Sequence, residues 1–219
     1  MRYAIVDGVK TIAAPGETAF CPMCDGDVIS KCGSIKVWHW AHKILDCDHW
    51  SEPESEWHLK WKSHASQMFT EITIEHSGIK HRADLLLPDE TVVELQHSNI
   101  SVESIAERET FYGKMIWLFD VSEVKGFELK GIEESTFRSL RWKHPRLSWL
   151  SVKSPVYFDT GSDIFVPSGN IKIEKFPGHY DPKIPAVYTR RSIRVSGFGR
   201  LMPHAKFVEY LKTGKWSLR

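Results

Sequence analysis

The chain has 219 residues, of which 42% are hydrophobic and 26% are charged. That length suits one domain, or one domain with a small appended module, and the composition excludes disordered and collagen-like proteins. No apolar run reaches the roughly 18 residues that a membrane-spanning helix needs, so no membrane association is expected. Residues 1–8 are too short and polar for a signal peptide, which predicts a cytoplasmic protein whose cysteines are reduced or metal-bound.

The charge is divided unevenly along the chain. Residues 1–121 contain 11 Lys and Arg against 19 Asp and Glu, whereas residues 122–219 contain 18 against 9. An acidic half suits a metal site, and a basic half suits a polyanion such as nucleic acid. The alternative is a solvated surface whose asymmetry is due to chance.

The first half of the chain reads as short strands followed by alternating helices and strands. Strand-like segments around Cys and His occupy residues 1–50, and a helix is expected over residues 51–69. Ser51 can cap this helix, with Glu54 completing a capping box. An apolar stripe at helical spacing supports the helix and contains Trp57, Trp61, Ala65 and Met68.

Further strands and a second helix follow in the acidic half. Strands are expected over residues 71–75, 79–87 and 91–96, and a helix from Ser101 to about Tyr112. Residues 115–119 form a continuous apolar run, which is typical of a buried strand. This order of elements predicts a mixed α/β (α+β) fold.

The basic half is predicted to be rich in strands. Residues 137–149 are basic and aromatic. A second hairpin is expected over residues 156–166, half-exposed strands over 171–174 and 193–195, and a closing helix over 203–212.

The hairpin over residues 79–96 carries the sharpest chemical pattern. A loop centred on Asp89 places Asp84 opposite Glu94, and Gln96 shares a strand face with Glu94. Two carboxylates at the open end of a hairpin suit Mg²⁺, which would activate water and stabilise charge on a phosphodiester. An exposed pair of acids on a sheet is the alternative.

Two helices contribute further candidates. Glu54 could be a third carboxylate, with His58 one turn later as a ligand or acid/base group. A capping role for Glu54 and a hydrogen-bonded boundary position for His58 are the alternatives. Arg108 and Tyr112 repeat the same spacing and could contact phosphate, unless they form an ordinary surface pair.

The cysteines and histidines near the N-terminus have the spacing of a structural zinc site. Cys-x-x-Cys followed by His-x-x-His can complete a closed tetrahedron. The predicted ligands are Cys21, Cys24, His39 and His42. Cys32, or Cys47 with His49, could substitute. A redox role would need a thioredoxin-like context that the sequence lacks.

With both clusters in place, the chain resembles the competence protein CoiA-like family. The resemblance rests on the order and spacing of several short strings. These are Ala19-Phe20-Cys21-Pro22-x-Cys24, His39-Trp40-Ala41-His42, Glu54-Ser55-x-x-His58-Leu59-x-x-Lys62, Arg82-Ala83-Asp84, Glu94-Leu95-Gln96-x-Ser98, Arg108-x-x-x-Tyr112, Phe137-Arg138-x-x-Arg141-Trp142-Lys143-His144 and Arg194-Val195-Ser196-Gly197-Phe198-Gly199-Arg200-Leu201.

The resemblance implies a PD-(D/E)XK nuclease core of the restriction-endonuclease type, a mixed sheet flanked by helices, behind a small zinc module. By that likeness Asp84 and Glu94 would hold a catalytic Mg²⁺ or Mn²⁺, with Glu54 as the helix carboxylate and His58 as a helper. Gln96 stands where the superfamily usually has Lys, and Gln supplies no positive charge. Family members are linked to competence and to recombination of incoming DNA.

We therefore expect three parts: a zinc module over residues 1–50, a nuclease core over 51–121 and a basic β-rich region over 122–219. The expected activity is metal-dependent hydrolysis of DNA, with single- and double-stranded substrates both open. The basic region would contact DNA through Arg138, Arg141, Trp142 and Lys143, unless the tryptophan is part of the core.

Two other functions compete with the nuclease. A DNA-binding module could keep the fold and lose turnover, which the glutamine at position 96 favours. An adaptor could bind a recombination or defence protein, and its binding would be insensitive to salt. The oligomeric state is left open by the sequence.

Overall fold

A computed structural model describes residues 1–44, 47–51, 54–132, 134–169, 172–175 and 193–216. The expected mixed α/β class is confirmed, with few helices and a strand-rich C-terminal region. The chain forms two compact units. The first contains residues 1–95, 111–115 and 210–216, and the second contains the described residues of 96–110 and 116–209.

An antiparallel five-stranded sheet opens the first unit. Its strands, in the order β2-β1-β3-β4-β5, are β1 (Tyr3–Val6), β2 (Val9–Ile12), β3 (Thr18–Phe20), β4 (Asp27–Lys31) and β5 (His39–His42). Asp7 and Gly8 both have positive φ, which matches the turn that joins β1 to β2 without splaying them. Ala4, Val28 and Trp40 are fully buried in its small core.

The remainder of the first unit carries the predicted acidic hairpin. Its elements are α1 (Glu56–Lys62), a 3₁₀ turn (Gln67–Phe69), β6 (Thr70–His76), β7 (Ile79–Leu86) and β8 (Val92–Gln96), whose last residue begins the second unit. The strands are antiparallel in the order β6-β7-β8. Leu85 pairs with Val93, so the hairpin is centred on Asp89 as the sequence predicted.

Helix α1 is shorter than the sequence predicted. Ser55, and not Ser51, is its N-cap, because the Ser55 side chain accepts from the backbone N–H of His58. Glu54 therefore precedes the helix. The helix ends at Ser63, and Met68 is 69% exposed, so the apolar stripe does not continue past Trp61. Proline suits the first turn of a helix, but Pro53 lies outside the described residues.

The second unit is dominated by one large sheet. Its strand order is β10-β11-β15-β13-β12-β9, with β14 beside β15. The elements are β9 (Met115–Asp120), whose first residue belongs to the first unit, β10 (Phe127–Lys130), β11 (Phe137–Lys143), a 3₁₀ turn (Leu147–Ser151), β12 (Val156–Asp159), β13 (Asp163–Pro167), β14 (Lys172–Lys175) and β15 (Ile193–Pro203). Strands β9 and β12 are parallel, and the other pairs are antiparallel.

Two helices have residues in both units, namely α2 (Val102–Tyr112) and α3 (His204–Thr213). Ser101 caps α2 by accepting from the backbone N–H of Ser104, and Gly113, with φ of 66°, follows its last turn. Both features match the sequence prediction. In the described part of the chain, no helix is long and apolar enough to cross a membrane.

Candidate active site and thiol cluster

A buried lysine joins three carboxylates in the first unit. Lys62, the last residue of α1, is 2% exposed. Its Nζ lies 2.7 Å from Glu54 Oε1, 3.0 Å from Glu71 Oε1 and 2.8 Å from Asp84 Oδ1. We call these four residues the Lys62 cluster. The ammonium partly neutralises charges that would otherwise be expensive to bury.

Glu71 enters the cluster through an unusual backbone conformation. It lies within β6 but has φ of 51°, a left-handed conformation that costs a non-glycine residue about 1 kcal/mol or more. Strands β6 and β7 pair regularly on both sides of this position. The Glu71 carboxylate also accepts from the backbone N–H groups of Arg2 and Tyr3, so it ties β1 to the cluster.

At Asp84 and Glu94, side-chain hydrogen bonds take the place of the backbone pairing between strands β7 and β8. The backbone N–H of Leu95 donates to Asp84 Oδ2 at 2.9 Å, and the N–H of Asp84 donates to Glu94 Oε1 at 3.4 Å. Side-chain oxygens thus bond backbone N–H groups beyond the pair formed by Leu85 and Val93. Glu94 is 3% exposed, whereas the Asp84 side chain is 20% exposed. The predicted facing pair of carboxylates is present.

Electrostatics keeps most of the Lys62 cluster ionised. Burial opposes charge on Lys62, but the three carboxylates outweigh it and hold the pKa of its ammonium well above the usual value. Burial likewise opposes charge on Glu71 and Asp84, yet Lys62 holds the pKa of both carboxyls below their usual values. Burial and the two neighbouring carboxylates raise the pKa of Glu54 despite Lys62.

The carboxylate oxygens of this region are of the type that hard divalent cations prefer. Glu54 Oε2 is buried and has no hydrogen-bond partner among the described residues. Carboxylate oxygens are the ligands that Mg²⁺ and Mn²⁺ prefer. In the described ranges, however, Glu54, Asp84 and Glu94 do not form a ready-made group with ligand atoms within 4.8 Å of one another. A cation here would share the carboxylates with the Lys62 ammonium.

His58 is held by its own hydrogen bonds. Its Nδ1 accepts from the backbone N–H and the hydroxyl of Ser55, at 3.4 and 2.7 Å, which completes the capping box. Its Nε2 lies 3.2 Å from the carbonyl oxygen of Leu95 and so acts as the donor. These bonds connect α1 to β8. They favour a positioning role over the acid/base role that the sequence suggested.

Gln96 is neutral, so it supplies no charge at the position where the resemblance leads us to expect a lysine. It is fully buried, and its Nε2 donates to the carbonyl and the hydroxyl oxygen of Ser98, both at 3.2 Å. An ammonium nevertheless reaches Asp84, because Lys62 projects from α1. The positive charge comes from the helix rather than from the strand.

A second cluster lies at the ends of β3 and β5. Its ligand atoms are within 4.8 Å of one another and belong to Cys21, Cys24, His42 and Cys47, which we call the thiol cluster. Backbone N–H groups of Met23 and Gly26 point at the first two sulfurs, both at 3.4 Å. Three sulfurs and one imidazole are a closed donor set that could bind a metal such as zinc.

The structure does not bring the predicted ligand His39 into the thiol cluster. His39 and His42 lie three residues apart on β5, so their side chains point to opposite faces. The Nδ1 of His39 donates to the carbonyl oxygen of Val37 instead. Cys47 takes the fourth position, and Cys32 lies outside the cluster.

Asp48 connects this loop to β7. Its Oδ1 is 2.9 Å from His81 Nδ1, and its Oδ2 accepts from the backbone N–H of Arg82 at 2.9 Å. His49, an alternative zinc ligand, groups with Asp48 and His81 and not with the thiols. The loop that carries Cys47 is therefore tied to the strand that carries Asp84.

Several predicted DNA contacts are buried. Arg108, Tyr112 and Trp142 are at most 8% exposed, so the structure does not place them on the exposed surface that the sequence predicted. Alternation along β11 puts Trp142 inside the sheet, 6.0 Å from Trp149. Arg138 bonds carbonyl groups of its own loop, including that of Ile132.

The other two predicted DNA contacts are accessible. Arg141 is exposed on β11, and Lys143 is partly exposed and paired with Glu128 at 3.1 Å. Both side chains remain available to a polyanion.

Comparison with protein families matches both parts of this arrangement. Residues 11–49 match the N-terminal domain of competence protein CoiA, and residues 54–157 match the CoiA nuclease-like domain. The chain belongs to the CoiA-like family. No curated protein and no solved structure gives a significant match. The N-terminal match contains the whole thiol cluster, and the nuclease-like match contains the Lys62 cluster.

The sequence pattern of this CoiA-like chain points to Lys62, although the sequence analysis assigned that residue no role. Lys62 follows His58 by four residues, which places both on one helix face. Glu71 had no comparable signal, because its left-handed backbone turns it toward the cluster.

Replacement of Cys47 tests the thiol cluster. We expect Cys47→Ser to lose bound zinc and to lower Tm by about 5–10 °C, because a structural zinc site contributes directly to folding. Zinc content by mass spectrometry and thermal unfolding measure both effects. Cys32→Ser is the matched control and retains zinc. Retention of zinc by Cys47→Ser, with its loss in His39→Gln, would contradict the ligand set.

Replacement of Lys62 tests the buried ion network. Lys62→Met leaves buried carboxylates without their counterion, so we expect the free energy of unfolding to fall by about 3–5 kcal/mol at neutral pH. Lys60→Met, on the exposed side of the same helix, should change it by less than about 0.5 kcal/mol. Urea unfolding measures the difference.

The pH dependence of the free energy of unfolding tests whether charge causes the loss of stability in Lys62→Met. Glu71 and Asp84 have lowered pKa values, so they stabilise the wild type above the ordinary values of 4.5 and 3.8 and cease to do so as acid protonates them. Glu54, with a raised pKa, acts in the opposite direction. The deficit of Lys62→Met should therefore shrink as the pH falls below the ordinary values of 4.5 and 3.8, where the wild type begins to lose the stabilisation by these two carboxylates. A constant deficit would show that charge is not its cause.

Proposed function

We propose that this chain is a Mg²⁺- or Mn²⁺-dependent nuclease that hydrolyses phosphodiester bonds in DNA. Its active site is the open end of the β7–β8 hairpin, with Asp84 and Glu94 as metal ligands and Glu54 as a third carboxylate. A cation held there would activate water and stabilise charge that develops on the phosphate. The match of residues 54–157 to a nuclease-like domain supports this proposal.

The observation that carries the proposal is the 2.8 Å contact between Lys62 Nζ and Asp84 Oδ1. The resemblance to that superfamily leads us to expect a lysine at position 96, and Gln96 supplies no positive charge. Lys62 brings an ammonium to the same carboxylate from another element. In this proposal it binds the scissile phosphate or orients the attacking water.

In this proposal, the residues at the start of α1 position the helix against the strand that carries Glu94. Ser55 and His58 fix the start of α1, and the His58 bond to Leu95 fixes α1 against β8. The Asp84 side chain is the most accessible of these carboxylates. Substrate would therefore approach from the Asp84 side, while Glu71 remains a buried partner of Lys62.

The proposed substrate is DNA because residues 122–219 are basic and because the family is that of a competence protein. Phosphate contacts by Arg141 and Lys143 would hold a strand independently of its sequence. Processing of DNA in competence or recombination is the corresponding biological role.

One observation favours a second candidate, a DNA-binding module without turnover. Gln96 is fully buried and bonded to Ser98, so it takes no part in proton transfer. In that case Lys62 would serve only as a structural counterion of the carboxylates.

Cleavage assays test the proposal. Labelled single- and double-stranded DNA are incubated with the zinc-loaded protein and Mg²⁺ or Mn²⁺. We expect cleavage by the wild type and a fall of at least about 100-fold for Asp84→Asn, Glu94→Gln and Lys62→Gln, because each removes a charge from the site.

Glu75→Gln is the matched control for the acidic substitutions. Glu75 lies on β6, is exposed and pairs with Lys80 at 3.6 Å, so its replacement should leave the rate unchanged. No cleavage with either metal, by folded protein that still binds DNA, would contradict the nuclease and favour the second candidate.

A further inference from the structure

In the described part of the second unit, strands β11 and β15 carry exposed side chains on one face of the sheet. Leu140 and Trp142 point inward and are buried, so alternate positions on β11 point outward. The pairing of Ser139 with Phe198 places the latter on the same outward side. We call this surface the β11–β15 face.

Two aromatic rings lie exposed on the β11–β15 face. Phe137 and Phe198 are 47% and 57% exposed, and their rings stack with centroids 5.7 Å apart and planes 15° apart. Aromatic side chains are more often buried than left to water. Two neighbouring rings on an open sheet therefore indicate a surface that binds another flat, apolar group.

Cations share the outward side of these strands with the two rings. Strand register places five of them on the outward side: Lys130, Arg141, Lys143, Arg194 and Arg200. Among the described side chains on the same side of β10, β11 and β15, the acid is Glu128, which pairs with Lys143. The surface is strongly positive, so it complements a polyanion and not a neutral apolar partner.

The backbone of β15 packs closely on the core beneath the face. On β15, Gly199 points inward, and a Cβ there would lie 2.3 Å from the carbonyl oxygen of Val166 and 2.6 Å from the Phe165 ring. The strand therefore packs directly on its core. Val195 and Trp142 are fully buried on the same side. A platform fixed in this way loses little conformational entropy when a ligand binds.

We infer that the β11–β15 face binds single-stranded DNA, with bases stacked on Phe137 and Phe198 and phosphates held by the surrounding arginines. Stacking needs unpaired bases, which a duplex does not offer. The surface is separate in sequence from Asp84 and Glu94. The inference rests on the proposed function only in the choice of DNA over RNA.

Binding is measured by fluorescence anisotropy of labelled oligo-dT with the full-length, zinc-loaded protein and no added Mg²⁺ or Mn²⁺. The double variant Phe137→Leu/Phe198→Leu removes both rings and keeps apolar bulk. We expect its affinity to fall about 10-fold or more. Phe137→Tyr/Phe198→Tyr keeps the rings and should bind like the wild type, which separates stacking from damage to the fold.

Two further variants complete the design. Ile79→Ala removes a side chain that is 57% exposed on β7 and should leave affinity unchanged. Arg141→Gln/Arg200→Gln should reduce the slope of log affinity against log salt by about 0.7 for each phosphate that the variant no longer neutralises.

Equal affinities of the wild type and the Leu double variant would overturn the inference, and so would equal, ring-independent binding of duplex DNA. Tighter binding of oligo-rU than of oligo-dT would overturn the choice of DNA. Because the assay contains no catalytic metal, failure of the nuclease proposal would leave its result unaffected.

Discussion

The first unit depends on the ion network around one buried ammonium. Lys62 contacts Glu54, Glu71 and Asp84, and each partner comes from a different segment of the chain. Burying these charges singly would cost several kcal/mol each, so the four positions are stable only together. The same requirement explains the left-handed backbone at Glu71, because the carboxylate must turn toward Lys62 and the N–H groups of β1. Stability and the proposed chemistry thus rely on the same side chains.

Much of this arrangement could be predicted from the sequence. The hairpin centred on Asp89 followed from strand periodicity, because a period of two fixes which residues face each other once the turn is located. The Cys-x-x-Cys pair, the second helix and the strand-rich C-terminal region also followed from local patterns. Each of these depends on residues that are close in sequence, where spacing determines geometry directly.

The sequence predictions differ from the structure where contacts between residues far apart in sequence determine the position of a side chain. Cys47 joins Cys21 across 26 positions of the sequence, and no local rule chooses it over His39. Ser55 caps α1 in place of Ser51 because His58 completes the box from inside the helix. Side chains alternate between the two faces along β11, so Trp142 shares a face with Leu140. Which of the two faces is buried depends on the pairing of β11 with β15, and the sequence does not give that pairing. Lys62 was visible at helical spacing, yet its three partners converge only in the folded chain.

Mn²⁺ binding to the zinc-loaded protein tests the central claim most directly, because it asks whether the Lys62 cluster is also a cation site. Calorimetry should detect one weak site that Asp84→Asn abolishes. Lys62→Met should bind Mn²⁺ more tightly than the wild type, because the competing ammonium is gone. Mn²⁺ affinity that is unchanged by both substitutions would contradict the account.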